Sequence, residues 1–240
     1  MPDPLNLAPS ADLDLPGPLP GAASRVAVWV AHPDLRRSGV NRRLLDVARG
    51  ADPARIEVRD LYAHYPDYAI DVAAEQAVAA AADLLVWVHP IHWYAMPALM
   101  KLWVDEVLSL GWAYGPGGRA LAGKDLWLVA STGADESAYH PSGYNRHFFD
   151  AFLPPYEQTA ALCGLRFLPP LVLHGAHGVD RLSVDAHAAL FGERLLSHPH
   201  WPELADLPER EACVAPAQDR PAAHATAALT PRLHATESRP

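Results

Sequence analysis

Five short apolar runs recur along the chain, and the segments between them carry their apolar residues at helical spacing. The runs centre on Val26-Ala27-Val28-Trp29-Val30, on Ile56, Val58 and Leu61, on Leu84-Leu85-Val86-Trp87-Val88, on Leu126-Trp127-Leu128-Val129-Ala130, and on residues 165–174. The first, third and fourth are continuous and do not alternate, as strands buried on both faces of a parallel sheet read. Pro90 has no N–H to give to a ladder, so the third strand is expected to end at His89-Pro90.

The intervening segments read as helices. Residues 41–49 present Leu44, Leu45 and Ala48 on one face, with Ser38 and Asn41 suited to capping. Residues 71–82 are alanine-rich. Pro97 suits the first turn of a helix over residues 98–108, where Leu99, Leu102, Trp103 and Val107 share a face and Lys101, Asp105 and Glu106 lie elsewhere. Residues 146–163 read as mostly helical despite Pro154-Pro155, stopped by Gly164, and residues 181–196 form the last helix. The stretch with Tyr62, Tyr65, Pro66 and Tyr68 reads as a loop.

Strands that alternate with helices argue an α/β fold, a parallel sheet with helices on both faces. Five strands suit the order 2-1-3-4-5, which brings the loops after strands one, three and four to one crevice at the carboxyl edge. Those loops begin at His32, Pro90 and Ser131. The domain is expected over residues 25–200. Residues 1–24, rich in proline, and residues 201–240, where proline, alanine and charge dominate, read as flexible tails.

Composition narrows the function. The chain has 240 residues, 50% of them hydrophobic, and a formal net charge of -9. That balance disfavours a nucleic-acid partner. No apolar run reaches the length of a membrane span, the amino terminus lacks the pattern of a secretory signal, and only Cys163 and Cys213 supply thiols. The cytoplasm is therefore the expected location.

The three loops differ in chemistry. The first opens a helix whose N–H groups and dipole favour an anion, with Ser38 and Asn41 adding side-chain hydrogen bonds. The second carries Ile91, His92, Trp93 and Tyr94, enough ring surface to wall a flat ligand. The third, Ser131-Thr132-Gly133-Ala134, is small and polar. Taken singly, each also suits an ordinary capped helix, a capped core or a plain turn. Together they suit a phosphorylated ring cofactor, and FMN fits best. No G-x-G-x-x-G follows strand one and no G-x-S-x-G is present. His32 and His89 stand where a phospho-receiver would place acids. The pairs His89-x-x-His92 and His174-x-x-His177 lie in loops without a compact third ligand, so they read as hydrogen-bonding or solvated histidines and no metal is expected.

Several separated phrases then agree in order and spacing: Ala31-His32-Pro33, Ser38-x-x-Asn41, Ala81-Ala82-Asp83-Leu84, the run from His89 through Met96-Pro97 to Asp105, and Gly111-Trp112-Ala113-Tyr114-Gly115. They resemble the flavodoxin-like NAD(P)H:quinone oxidoreductases, and among these the ancillary subunits of the Kef glutathione-gated potassium efflux systems, from about Arg25 to Leu196. The resemblance implies FMN held by His32, by Ser38, Gly39, Val40 and Asn41, by Ile91, His92, Trp93 and Tyr94, and by Ser131, Thr132, Gly133 and Ala134. It implies hydride transfer from NADH or NADPH to FMN and two-electron reduction of a quinone. It also implies, as an alternative, a regulatory subunit that docks on a potassium efflux antiporter, peripheral to the inner membrane. The family's catalytic pair is a tyrosine and a histidine; Tyr139 falls at the first position and Asn145 at the second, with His140 and His147 out of register. The resemblance points to a homodimer, as does the aromatic content of residues 62–68 and 112–118.

Overall fold

The structure is a computed structural model and describes residues 23–205 and 207. Its centre is a parallel sheet of β1 (Val26–Val30), β2 (Ile56–Asp60), β3 (Leu84–Pro90), β4 (Asp125–Ser131) and β5 (Arg166–Leu173), ordered β2-β1-β3-β4-β5. Helices α1 (Gly39–Gly50), α2 (Leu61–His64), α3 (Val72–Ala81), α4 (Ala98–Val107), α5 (Pro154–Leu162) and α6 (Arg181–Ser197) cover its two faces. This is the flavodoxin-like order that the alternating pattern implied.

Every residue of β1, β3 and β4 is buried, which is why these runs show no alternation. Successive side chains still part to opposite faces. Leu85 and Trp87 of β3 pack with Trp29, Trp103 and Tyr156, while Leu84, Val86 and Val88 pack with Val40, Leu44, Leu45 and Phe191.

Under the first face lies a buried carboxylate. Glu75 on α3 is fully buried and accepts hydrogen bonds from the indoles of Trp29 (2.5 Å) and Trp103 (2.9 Å), the Tyr65 hydroxyl (2.6 Å) and the Arg59 guanidinium (2.6 Å). Burial alone would raise its pKa; the bonds from Tyr65, Trp103, Trp29 and Arg59 outweigh burial and hold it below the ordinary value.

Several boundaries differ from the sequence expectation, each for a local reason. β3 runs through Pro90, one residue past the expected stop. Ala31 N donates to Val88 O, so the next bond of that ladder would need an N–H at residue 90, and pairing with β1 ends there. On the other side Ile91 N donates to Ser131 O, so pairing with β4 continues. Residues 61–64 form the short helix α2, which Asp60 caps by accepting from Ala63 N. The expected helix over 146–163 starts only at Pro154, because two prolines fit the first turn and not the interior; residues 149–152 form a separate 3-10 turn.

The folded part also passes residue 200, where a tail was expected. Trp201 and Leu204 are buried. The Trp201 ring meets Trp127 edge-on at 4.8 Å, its Nε1 donates to Arg194 O at 2.9 Å, and the Arg194 guanidinium lies 5.1 Å from the ring centre. His198, near the end of the expected domain, is buried between Ser24 Oγ (2.7 Å from Nδ1) and Asp125 Oδ2 (2.9 Å from Nε2). Arg166 holds the same Asp125 in a two-point ion pair. The tail expectations for residues 1–22, 206 and 208–240 lie outside the described residues. Among the described residues no helix is long and apolar enough to cross a membrane.

Candidate cofactor site at the carboxyl edge

The first and third loops are joined directly. Ser38 caps α1 by accepting from Asn41 N at 3.0 Å. The Asn41 side chain is buried, and its Nδ2 lies 3.1 Å from Ser38 Oγ and 3.0 Å from Ser131 Oγ. Its Oδ1 has no hydrogen-bond partner. An orphaned buried acceptor at the open end of a helix marks a place where a donor group is to arrive. Val40 turns its side chain into the core, so that position can offer only backbone. Gly39 lies at the start of the same helix. His32 accepts from Asp34 N at 3.0 Å and faces His92 edge-on with ring centres 6.3 Å apart.

The second loop is a strained turn. His92 and Ala95 exchange both backbone bonds, at 2.9 and 3.0 Å, around Trp93 and Tyr94. The φ angles of these two residues are 48° and 64°. Consecutive positive φ values mark a primed turn, a place for Asn-Gly and not for two aromatic residues. Trp93 is 93% exposed. Tyr94 stacks on Phe152 at 5.1 Å, and its hydroxyl donates to Asn145 Oδ1 at 3.4 Å. Ile91 packs partly into the core. A large exposed ring on a strained turn is a candidate contact for a ligand.

Asn145 is therefore brought to Tyr94. Tyr139 is held elsewhere: its ring packs edge-on against Phe149 (5.5 Å) and Phe152 (6.0 Å) and lies 5.3 Å from the His174 ring. Burial raises the Tyr139 pKa, and Thr132 acts in the opposite direction.

A fourth loop, following β5, was missed as part of the site. Thr132 N donates to Leu173 O, Gly175 N to Ala134 O, and Ala176 N to Thr132 O. Thr132 Oγ1 lies 2.9 Å from His174 Nδ1 and 2.7 Å from Ala134 O. A Cβ at Gly133 would sit 2.8 Å from His177 Nε2, so that loop is packed closely against its neighbour. The signal available was the pair His174-x-x-His177, read as hydrogen-bonding or solvated histidines without being joined to the third loop. Among the described residues, no three metal-binding side chains gather.

Burial sets the histidine chemistry. His89 is fully buried, stacks on Tyr156 at 5.8 Å, and burial pushes its pKa down to about 4. Burial also lowers His92; His32 is lowered by burial and then by the His92 charge. The site is thus an edge with a helix start, a ring-bearing turn and neutral imidazoles.

Comparison with known proteins shows the family and the fold. Residues 24–195 match the family model described as "Flavodoxin-like fold". The glutathione-regulated potassium-efflux system ancillary protein KefF of Citrobacter koseri is 43% identical over 178 residues, 74% of this chain and 97% of that protein. The general stress protein 14 of Treponema denticola, solved in complex with FMN, is 37% identical with a TM-score of 0.67, covering 71% of this chain and 97% of that one. An NADPH-quinone reductase from P. pentosaceus, 24% identical, shares the fold with a TM-score of 0.64 over 72% of this chain and 98% of that one. The chain belongs to the flavodoxin-like family that includes the ancillary proteins of glutathione-regulated potassium efflux.

Proposed function

We propose that this protein is an FMN-dependent NAD(P)H:quinone oxidoreductase. The observation that carries the reading is the buried Asn41 side chain, which ties the start of α1, where free N–H groups favour an anion, to the end of β4, and whose unpaired Oδ1 would accept from a ligand hydroxyl. A relative that is 37% identical was solved with FMN bound. When bound, FMN would supply hydride acceptance and donation. Ser38, Gly39, Val40 and Asn41 would hold its phosphate through backbone and side-chain donors. Ile91, His92, Trp93 and Tyr94 would flank the ring, with Ser131, Thr132, Gly133, Ala134 and His32 closing the edge. Tyr139 would hold a proton at its hydroxyl for the substrate oxygen, and Asn145 would fix Tyr94 in place.

A second reading rests on the 43% identity to an efflux ancillary protein: the chain docks on a membrane potassium efflux antiporter from the cytoplasmic side. The two readings are compatible. Exposed rings at Tyr68, Trp93, Tyr94, Tyr144 and Phe148, with Leu110, supply apolar surface for a homodimer or a partner. Trp112 and Tyr114, expected to add to that surface, pack against the core instead.

The test is an absorbance spectrum of purified protein after FMN reconstitution, followed by stopped-flow mixing with NADPH and NADH. Flavin absorbance that bleaches on mixing and returns with a quinone supports the reading. Protein that takes up no FMN overturns it.

A further inference from the structure

Two parts of the site that lie far apart in the chain meet on one ring. Phe152 closes the 3-10 turn over residues 149–152, directly ahead of the prolines that open α5. Its ring stacks on Tyr94, with centres 5.1 Å apart and planes 21° apart. The Tyr139 ring meets it edge-on at 6.0 Å, with planes at 79°. Among the described residues, Phe152 is the ring in contact with both Tyr94 and Tyr139. We propose that Phe152 is a positioning residue, which fixes Tyr139 relative to the Trp93-Tyr94 turn and so holds the ring wall and the proton donor in one geometry. This role rests on the reductase reading of the same site.

The turn needs such a brace. Trp93 and Tyr94 have φ angles of 48° and 64°, which aromatic residues adopt at a cost. Strain of this kind persists where the surroundings over-determine the conformation. The backbone contributes the two bonds between His92 and Ala95. Beyond them Tyr94 is held at two points, its hydroxyl by Asn145 and its ring by Phe152. The hydroxyl bond is weak, because 3.4 Å is long for an O–H donor. The stack on Phe152 is therefore the stronger hold. An offset stack and an edge contact are the arrangements that ring quadrupoles favour, and Phe152 makes one with each tyrosine.

Phe152 is itself firmly placed. Leu153 N donates to Asp150 O at 3.1 Å, and Pro154 and Pro155 restrict the backbone that follows. Its ring packs against the core cluster that contains Tyr139, Phe149 and Tyr156. Of the two phenylalanine rings on Tyr139, Phe149 at 5.5 Å ties it to the core and Phe152 at 6.0 Å ties it to the turn. Displacing a reacting group by about 1 Å can cost on the order of 10²-fold in rate.

Two measurements decide this. The first uses NMR of cofactor-free protein carrying isotope-labelled tyrosine. Tyr94 is nearly half exposed, so Tyr94→Leu removes the stack without opening the core. The Tyr139 ring resonances should shift in that variant. Adding Tyr94→Leu to Phe152→Leu should move them no further, and in Phe152→Tyr the response to Tyr94→Leu should return. The second uses FMN-loaded protein. Single-turnover quinone reduction should slow about tenfold in Phe152→Leu and recover in Phe152→Tyr. The loss should lie in the rate at saturating quinone more than in KM. It should shrink to about twofold or less where Tyr139→Phe is already present. Tyr139 resonances that ignore Tyr94→Leu, or that move equally with and without the Phe152 ring, overturn the brace. So do losses from Phe152→Leu and Tyr139→Phe that multiply, or a loss that Phe152→Tyr does not recover. If wild-type protein is never reduced by NAD(P)H, the reductase reading fails, and the cofactor-free spectra still decide whether Phe152 couples the two tyrosines.

Discussion

Asn41 Nδ2 donates to Ser131 Oγ across 3.0 Å, binding the first turn of α1 to the last residue of β4. Ninety positions of chain separate the two residues, yet they form one wall. Loss of a single hydrogen bond of this kind costs about 0.5–1.5 kcal/mol net. Ser131→Ala and Asn41→Ala are each expected to weaken FMN binding by about three- to tenfold. Quenching of flavin fluorescence on titration checks this; the Asn41 variant should lose more, because its Nδ2 also bonds Ser38 at 3.1 Å.

The Trp93-Tyr94 turn should trade stability for function. Replacing the pair with Asn-Gly suits both positive φ angles and should relieve about 1–3 kcal/mol of strain. Thermal melting should rise in that variant. Its quinone KM should rise too, since the exposed ring is gone. A melting point equal to or below that of wild type would show that the aromatic pair is not strained.

Glu75 makes stability depend on acid. Its folded pKa lies below the ordinary 4.5, so its contribution is fully present above that pH and is lost as pH falls through the folded value. Glu75→Gln leaves Arg59 without its buried partner and should destabilise the fold by about 3–5 kcal/mol. Urea denaturation at pH 7 and pH 3.5 checks both statements: the gap between variant and wild type should narrow at the lower pH.

Trp201→Ala removes a buried indole that touches Trp127, Arg194 and the α6 backbone. The expected loss is about 3–5 kcal/mol. Chain cut after residue 200 should behave alike, and chain cut after residue 207 should keep wild-type melting.

Tyr139→Phe retains the ring packed on Phe149 and Phe152 and removes the hydroxyl. Turnover is expected to fall about ten- to a hundredfold, with FMN affinity unchanged. Asn145→His should change the pH profile only where Tyr139 is present. Single-turnover kinetics separate these outcomes.

The sheet was legible because β1, β3 and β4 are buried on both sides and so carry unbroken apolar runs. The Ser38 cap and the Ser131 loop were legible because each is a local pattern. What was not legible depends on distant partners. His198 is fixed by Ser24, 174 positions away, and by Asp125, 73 positions away, so nothing near it in the chain announces its burial. Trp201 reads as one aromatic residue in a polar stretch until Trp127 is placed beneath it. His174 was visible as a motif, but its partner Thr132 lies 42 positions upstream, and only the parallel pairing of β4 with β5 brings the two loops together.

The clasp of Ser24, His198 and Asp125 has a practical side. Asp125 is the first residue of β4, so the clasp sits at the amino edge of the sheet, opposite the loops that gather Asn41, Trp93 and Tyr139. Ser24, near the start of the described chain, and Trp201, near its end, both lie toward that far edge. The molecule has a handle and a working end. A tag, a surface tether or a fused domain joined directly at Ser24 would hold it by the handle and leave the ring-bearing loops facing outward.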